Sequence, residues 1–159
     1  MRVIGIDPGY DRLGVAVMEK IDGQETLIFS TCLQSDRKLV VADRIDDLGH
    51  RLTEIFSSYQ PDQLAIEKLF FNQNRTTALS VAEMRGVVIY LAKCHNCKVA
   101  EFGPQEIKVA VTGYGKSDKR AVAEMLSRLI KNLPISALDD EYDAIAIALT
   151  GLVSTPIST

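Results

Sequence analysis

Three runs of strand-forming residues follow one another at the start of the chain, and they limit its fold more than any other feature. They are RVIGID at 2–7, LGVAVME at 13–19 and ETLIFSTCLQ at 25–34. The connections between them are short and contain Gly9 and the DGQ stretch at 22–24, which is typical of strands that return on one another. The first third of the chain therefore predicts an antiparallel meander.

The rest of the chain alternates amphipathic segments with two short apolar runs, QLAIE and CKVAEF. The last segment begins with acids and continues apolar almost all round, so we expect a largely buried helix there. This order predicts an α/β domain with a mixed five-stranded sheet flanked by helices. The predicted strands lie at 63–67 and 97–102, and the predicted helices at 38–59, 76–94, 104–112, 118–131 and 139–153.

Length and composition predict one domain over 1–159. A chain of 159 residues with 47% hydrophobic residues can bury one good core. We expect a cytoplasmic protein without a membrane partner, because no apolar run is long enough for a bilayer and the three cysteines do not form a disulfide framework. The CHNC stretch at 94–97 has half the spacing of a zinc site, but no second such pair exists, so Cys97 is expected to be buried.

Charge is distributed unevenly along the chain. The net charge is −3, yet residues 85–131 hold 9 Lys and Arg against 4 Asp and Glu. This asymmetry indicates one face for a polyanion such as a nucleic acid, or else a set of scattered, solvated lysines.

Two acids stand at the ends of apolar strands. Asp7 is followed by Pro8 and Gly9, which stop the strand and hold the carboxylate at its end, and Glu67 ends the predicted buried strand QLAIE. Asp140 and Asp143 are spaced by three on a helix, which places their Cβ atoms about 5–6 Å apart on one face. If the two strands are neighbours in the sheet and the helix packs on it, all four carboxylates can meet at one edge.

Four carboxylates in one place need neutralising charges. Hard oxygen ligands suit Mg²⁺ or Mn²⁺, and two such ions about 4 Å apart can bind both the attacking water and the leaving oxygen of a phosphodiester. The cluster therefore predicts hydrolysis of a nucleic-acid backbone.

Each acid also has a structural alternative. Asp7 could cap a turn, and Asp139, Asp140 and Glu141 could serve as helix-start acids. Asp143 fits this reading less well, because it lies one turn inside an apolar helix, and Glu67 has no turn to cap.

Five motifs follow one another along the chain: GIDPG at 5–9, AIEKLFF at 65–71, NRTTAL at 74–79, RG at 85–86 and DxxDAIAIA at 140–148. In this order and at these separations they resemble the RuvC family of Holliday-junction resolvases, over nearly the whole chain. The resemblance implies a ribonuclease-H-like fold, a homodimer, paired Mg²⁺-dependent nicking of four-way DNA junctions, and a branch-migration helicase as partner. It also implies two Mg²⁺ per subunit, with Mn²⁺ as a substitute.

The resemblance also implies roles for individual residues. Phe70 would stack at the junction centre, with core packing as its alternative, and the basic residues would contact phosphates, with a solvated surface as theirs. The implied catalytic and metal-binding acids are Asp7, Glu67, Asp140 and Asp143, and the implied DNA-binding residues are Phe70, Arg75, Lys108 and Lys119.

Other functions remain open from the sequence. The RLGVAV stretch at 12–17 is closer to YqgF-type proteins, and a ribonuclease-H-like nuclease with another nucleic-acid substrate would need the same acids. The opening strand is also similar to those of sugar kinases and actin-like ATPases, although the chain is too short for their duplicated fold. A DNA-binding module without metals is the non-enzyme alternative.

Overall fold

The computed structural model describes residues 1–69 and 75–154, and for 75–77 the backbone alone. Within these ranges the strands are β1 (Arg2–Asp7), β2 (Arg12–Ile21), β3 (Gln24–Gln34), β4 (Gln63–Glu67) and β5 (Lys98–Phe102). The helices are α1 (Val41–Tyr59), α2 (Arg75–Cys94), α3 (Pro104–Thr112), α4 (Lys119–Leu129) and α5 (Asp139–Ser154).

The strands form one sheet in the order β3-β2-β1-β4-β5. β1, β2 and β3 pair antiparallel, while β4 pairs parallel with both β1 and β5. The predicted meander and the predicted mixed five-stranded sheet are therefore confirmed. Because β1 and β4 run in the same direction side by side, their carboxyl ends lie at one edge of the sheet.

Helices cover both faces of this sheet, and the alternation of side chains along each strand assigns residues to the two sides. On β1, Ile4 and Ile6 pack against α1 and α2 in one buried cluster. Val3 packs with α3, α4 and α5 in a second cluster on the other face. Both layers bury apolar surface, which is the main stabilising contribution in a domain of this size.

Helix α5 lies directly on the middle of the sheet. It is buried continuously from Ala144 to Leu152, as its apolar sequence predicts. Gly5 on β1 and Gly14 on β2 allow this close approach, because a Cβ at Gly5 would collide with the backbone of Ala148 and one at Gly14 with the carbonyl oxygen of Asp140. The small residues in the strands therefore set the distance between α5 and the sheet.

Two details differ from the sequence prediction. Helix α1 begins at Val41 and not at 38, because Asp36 accepts from the N–H of Lys38 at 2.9 Å and forms a turn ahead of the helix. Phe56 is fully buried in the core, although it lies outside the apolar stripe that steps of four and three predict for this helix, namely Val41, Ile45, Leu48, Leu52, Ile55 and Tyr59. Among the described helices, none is long and apolar enough to cross a lipid bilayer.

Candidate active site

Two carboxylates meet where β1 and β4 end. Asp7 is the last residue of β1 and Glu67 the last residue of β4, and Ile6 pairs with Ile66 one position earlier. Asp7 also lies on the same face of β1 as Gly5, the face that α5 covers. The two acids therefore stand side by side at the edge of the sheet, as predicted.

The turn after Asp7 keeps its backbone in place. Pro8 cannot continue the strand ladder, and the chain folds back so closely that a Cβ on Gly9 would collide with the carbonyl oxygen of Arg12. The backbone of Asp7 is therefore held at the end of β1.

Helix α5 brings the other two acids to this edge. Asp140 lies in its first turn and Asp143 one turn further, on the same face of the helix. The backbone of Asp140 rests against Gly14 of β2, and Gly14 is the register partner of Asp7. Asp139 is exposed, whereas Asp140 is half-buried.

The four acids interact electrostatically. Burial is the main cause that raises the pKa of Asp7 to about 7. The negative charges of Asp143, Asp140 and Glu67 raise it further, in that order. The pKa of Glu67 is raised as well, first by burial and then by the charge of Asp143. These shifts show that the structure gathers the predicted acids into one cluster.

Two basic side chains face the cluster. Lys119 at the start of α4 places its Nζ 3.0 Å from Oδ2 of Asp143, and this hydrogen bond is the main cause that raises the pKa of Lys119. Arg12 at the start of β2 places its Nε 3.1 Å from Oδ2 of Asp140. Two of the four acids are therefore paired with a cation from a different element.

The donor set has the chemistry of a site for divalent cations. It consists of carboxylate oxygens, the ligands that Mg²⁺ and Mn²⁺ prefer. Oδ2 of Asp140 is buried, and within the described residues it has no hydrogen-bond partner. In the present side-chain arrangement no three such ligands among the described residues converge on one point. By its chemistry the donor set fits a divalent cation, and two of its members, Asp140 and Asp143, are here paired with Arg12 and Lys119.

Three predicted DNA-binding residues lie around this edge or outside the described structure. Lys108 on α3 is half-buried, and its positive charge opposes the rise in the pKa of Glu67. Phe70 lies outside the described residues, and so does the side chain of Arg75.

Cys97 of the CHNC stretch is buried as predicted and donates its S–H to the carbonyl oxygen of Pro61 at 2.9 Å.

Two arginines near the acids were not predicted. Arg12 belongs to the RLGVAV stretch at 12–17, from which no role for its side chain follows. Arg85 donates from Nε to the carbonyl oxygen of Glu67 at 3.4 Å and from a terminal nitrogen to Oε2 of Glu101 at 2.7 Å. It therefore ties the end of β4 to β5. The sequence contains one indication of a role for Arg12. It lies two residues before Gly14 and therefore on the same face of the strand, the face that packs against α5.

Comparison with known proteins identifies the family. The family model described as "Crossover junction endodeoxyribonuclease RuvC" matches residues 3–151. The chain belongs to the RuvC family. A RuvC relative of that name from Brevibacillus brevis is 37% identical over 150 residues, which cover 94% of this chain and 90% of the relative. Another from Desulforamulus reducens is 38% identical over 149 residues, 94% of this chain and 91% of the relative.

The RuvC fold is also found in solved structures. The structure titled "T. thermophilus RuvC in complex with Holliday junction substrate" matches with a TM-score of 0.86 at 28% identity, covering 94% of this chain and 92% of that one. The ribonuclease-H-like fold predicted from the sequence is thus confirmed for this member of the RuvC family. The roles of the individual acids and lysines stay predictions.

Proposed function

We propose that this chain is a structure-specific endonuclease that resolves four-way DNA junctions in recombination and repair. The observation that carries the proposal is the cluster of four acids at the ends of β1 and β4 and the start of α5, in a chain that belongs to the RuvC family. The relatives are named for crossover-junction cleavage, and one related structure contains a Holliday junction substrate.

The four acids are proposed to hold divalent cations, two Mg²⁺ per subunit, with Mn²⁺ as a substitute. Such ions supply an activated water and neutralise the leaving oxygen of a phosphodiester. The chain's own contribution is placement. The end of β1 holds Asp7, the end of β4 holds Glu67, and the contact of α5 with Gly14 places Asp140 and Asp143 beside them.

Basic side chains around the acidic cluster are proposed to bind the DNA backbone. Lys119 is 74% exposed and touches the acidic cluster, so its ammonium group is available to a phosphate next to the cleaved bond. Lys108 lies close enough to affect Glu67 by its charge. Arg75 is assigned a further phosphate contact, and Phe70 is assigned to stacking on an unpaired base at the junction centre.

We further propose a homodimer that uses the exposed face of α2. A four-way junction is resolved by two symmetric cuts, and a two-fold dimer presents two such sites. Leu79 and Tyr90 on this helix are 68% and 67% exposed, and a Cβ at Gly86 between them would meet nothing within 4 Å. Large apolar side chains beside a small residue make a surface that a second copy can cover.

The remaining assignments follow from this activity. Residues 1–159 would act as one nuclease domain. Because its proposed substrate is DNA, we propose that the protein acts in the cytoplasm. The proposed partner is a junction branch-migration helicase that delivers the substrate.

Substrate choice tests the proposal directly. The full chain is incubated with Mg²⁺ and, in parallel, with a synthetic four-way junction, a linear duplex and an RNA–DNA hybrid. We expect paired nicks in the junction alone and none in EDTA. Preferential cleavage of the hybrid would favour a ribonuclease-H-like activity instead, and binding of the junction without any nicking would indicate a DNA-binding module.

A further inference from the structure

The ion pair between Arg12 and Asp140 lies at the acidic cluster and joins two different elements. Nε of Arg12 is 3.1 Å from Oδ2 of Asp140, and the two side chains are 45% and 21% exposed. The pair between Arg120 and Glu124 has a similar distance of 3.3 Å, but its side chains are 87% and 57% exposed and belong to one helix. Exposed pairs of the second kind contribute little to stability.

The environment of Asp140 makes the charge of Arg12 important. Oδ2 of Asp140 is buried and has no hydrogen-bond partner among the described residues. Nε of Arg12 lies close to this oxygen but is not aligned to donate a hydrogen bond to it. Arg12 therefore compensates the negative charge of Asp140 by electrostatic attraction. A buried carboxylate oxygen without such compensation is costly.

The fold itself holds Arg12 near Asp140. Arg12 and Gly14 lie two residues apart and thus on the same face of β2. The backbone of Asp140 rests on Gly14, so the start of α5 is fixed beside Arg12. The backbone of Arg12 is in turn paired with Gln34 of β3. The pair is therefore set by the packing of helix on sheet.

We propose that Arg12 is a positioning residue that acts as a built-in counter-cation of the acidic cluster. It stabilises Asp140 while the site holds no metal ion, and it competes with a metal ion for that carboxylate. The inference rests on the proposed function in one respect, that the cluster binds divalent cations. It does not depend on the nucleic acid that is cut.

Direct binding of Mn²⁺ tests this competition. Free Mn²⁺ is measured by electron paramagnetic resonance during titration of the wild type, Arg12→Gln, Arg12→Lys and the control Arg120→Gln. Without the guanidinium, Asp140 attracts the metal more strongly, so we expect the Kd of Arg12→Gln for Mn²⁺ to fall about threefold or more. Arg12→Lys, which keeps a positive charge, should stay nearer to the wild type, and Arg120→Gln should match the wild type.

Two further measurements separate a positioning role from a general effect of charge. In EDTA, the thermal midpoint of Arg12→Gln should fall further than that of Arg120→Gln, because the repulsion among the acids is less compensated. In an Asp140→Asn background, Arg12→Gln should leave Mn²⁺ binding unchanged. If Arg12→Gln does not fold, Arg12→Lys takes its place. The lysine side chain is shorter, so its charge should compensate Asp140 less well, and the thermal midpoint in EDTA should fall below that of the wild type.

The inference would be overturned if Arg12→Gln bound Mn²⁺ as well as or more weakly than Arg120→Gln. It would equally fail if the effect persisted in the Asp140→Asn background. The two proposals can fail separately. If the wild type does not cut the four-way junction but Arg12→Gln binds Mn²⁺ more tightly than the wild type, the proposed function is refuted and the inference is supported. Normal junction cleavage together with unchanged Mn²⁺ binding would do the opposite.

Discussion

Asp7 is the residue at which burial and charge combine most strongly. Its pKa rises from 3.8 to about 7, chiefly through burial and further through Asp143, Asp140 and Glu67. A carboxyl whose pKa is raised on folding favours the protonated folded state, so its contribution to stability is largest at low pH. Near neutral pH and without metal, the folded protein must hold a cluster of charges that repel one another.

This predicts a pH dependence of stability in metal-free buffer. Between 3.8 and about 7 only the folded state keeps the proton on Asp7. The contribution of this group to the free energy of unfolding therefore falls by about 1.4 kcal/mol per pH unit as the pH rises through this window. Asp7→Asn removes that loss, so the variant should exceed the wild type in stability at about pH 8, by a margin that shrinks toward about pH 5.

Urea denaturation in EDTA at several pH values measures this difference. Asp22→Asn is the matched control, because Asp22 is exposed in the turn between β2 and β3, far along the strands from Asp7. Parallel stability curves for Asp7→Asn and the wild type would contradict the raised pKa.

The catalytic assignment predicts a different result for the same kind of change. Glu67→Gln and Asp143→Asn should each lower single-turnover nicking by about 10²-fold or more, because each removes a charged ligand at the reacting phosphate. Junction binding measured in EDTA should persist or strengthen, since a negative charge facing the phosphates is lost.

Asp139→Asn is the control for this pair, because Asp139 is exposed and lacks the spacing of three to Asp143. We expect it to nick at close to the wild-type rate. Near-wild-type nicking by Glu67→Gln or Asp143→Asn would remove that residue from the proposed site.

At the scale of elements, the contact between α5 and the sheet decides where the acids stand. Gly14 faces the backbone of Asp140 so closely that no side chain fits between them. The contact therefore couples packing to function, since pushing α5 outward moves Asp140 and Asp143 away from the strand ends.

Gly14→Ala tests this coupling. Its Cβ would collide with backbone, so we expect a loss of about 1–3 kcal/mol in the free energy of unfolding together with a lower nicking rate per folded molecule. Gly49→Ala is the matched control: its Cβ would make an ordinary van der Waals contact with Cγ1 of Val87 at 3.6 Å, and alanine in a helix adds about 0.5–1 kcal/mol of stability. Chemical denaturation and nicking assays measure both effects. Equal stability of Gly14→Ala and the wild type would show that α5 can shift without cost.

At the scale of the whole molecule, the acidic cluster and the exposed face of α2 have separate tasks. The cluster lies at the edge of the sheet where β1 and β4 end, whereas Leu79 and Tyr90 project from a helix on the face opposite α5. Assembly and metal binding can therefore be disturbed independently.

The proposed homodimer gives the corresponding prediction. Leu79→Asp combined with Tyr90→Arg places charges on the exposed face of α2, which should convert a micromolar dimer to a monomer while the far-ultraviolet circular dichroism stays unchanged. Ile135→Asp is the control, because Ile135 is 97% exposed in the loop before α5. Sedimentation velocity distinguishes the species. A wild-type chain that sediments as a monomer, with and without junction DNA, would contradict the dimer.

Local sequence pattern determined the elements and much of the candidate site. Alternating and 3.6-residue periodicities depend on neighbours in the chain, so the five strands and the helix at 139–153 could be predicted from them. Glu67 and Asp143 were recognisable because their positions have a weak structural explanation, whereas Asp7 and Asp140 could also be a turn cap and a helix-start acid and stood out only as part of the set. Their common edge followed once β1 and β4 were taken as neighbours.

Tertiary structure decided the quantities that depend on residues far apart in sequence. The raised pKa of Asp7 needs the burial and the charges that β4 and α5 bring to it, and the pairing of Arg12 with Asp140 needs α5 to rest on Gly14. Desolvation and Coulomb energies vary with distances of a few ångströms between elements. Periodicity assigns a residue to a face of its element, but the packing of one element on another sets those distances.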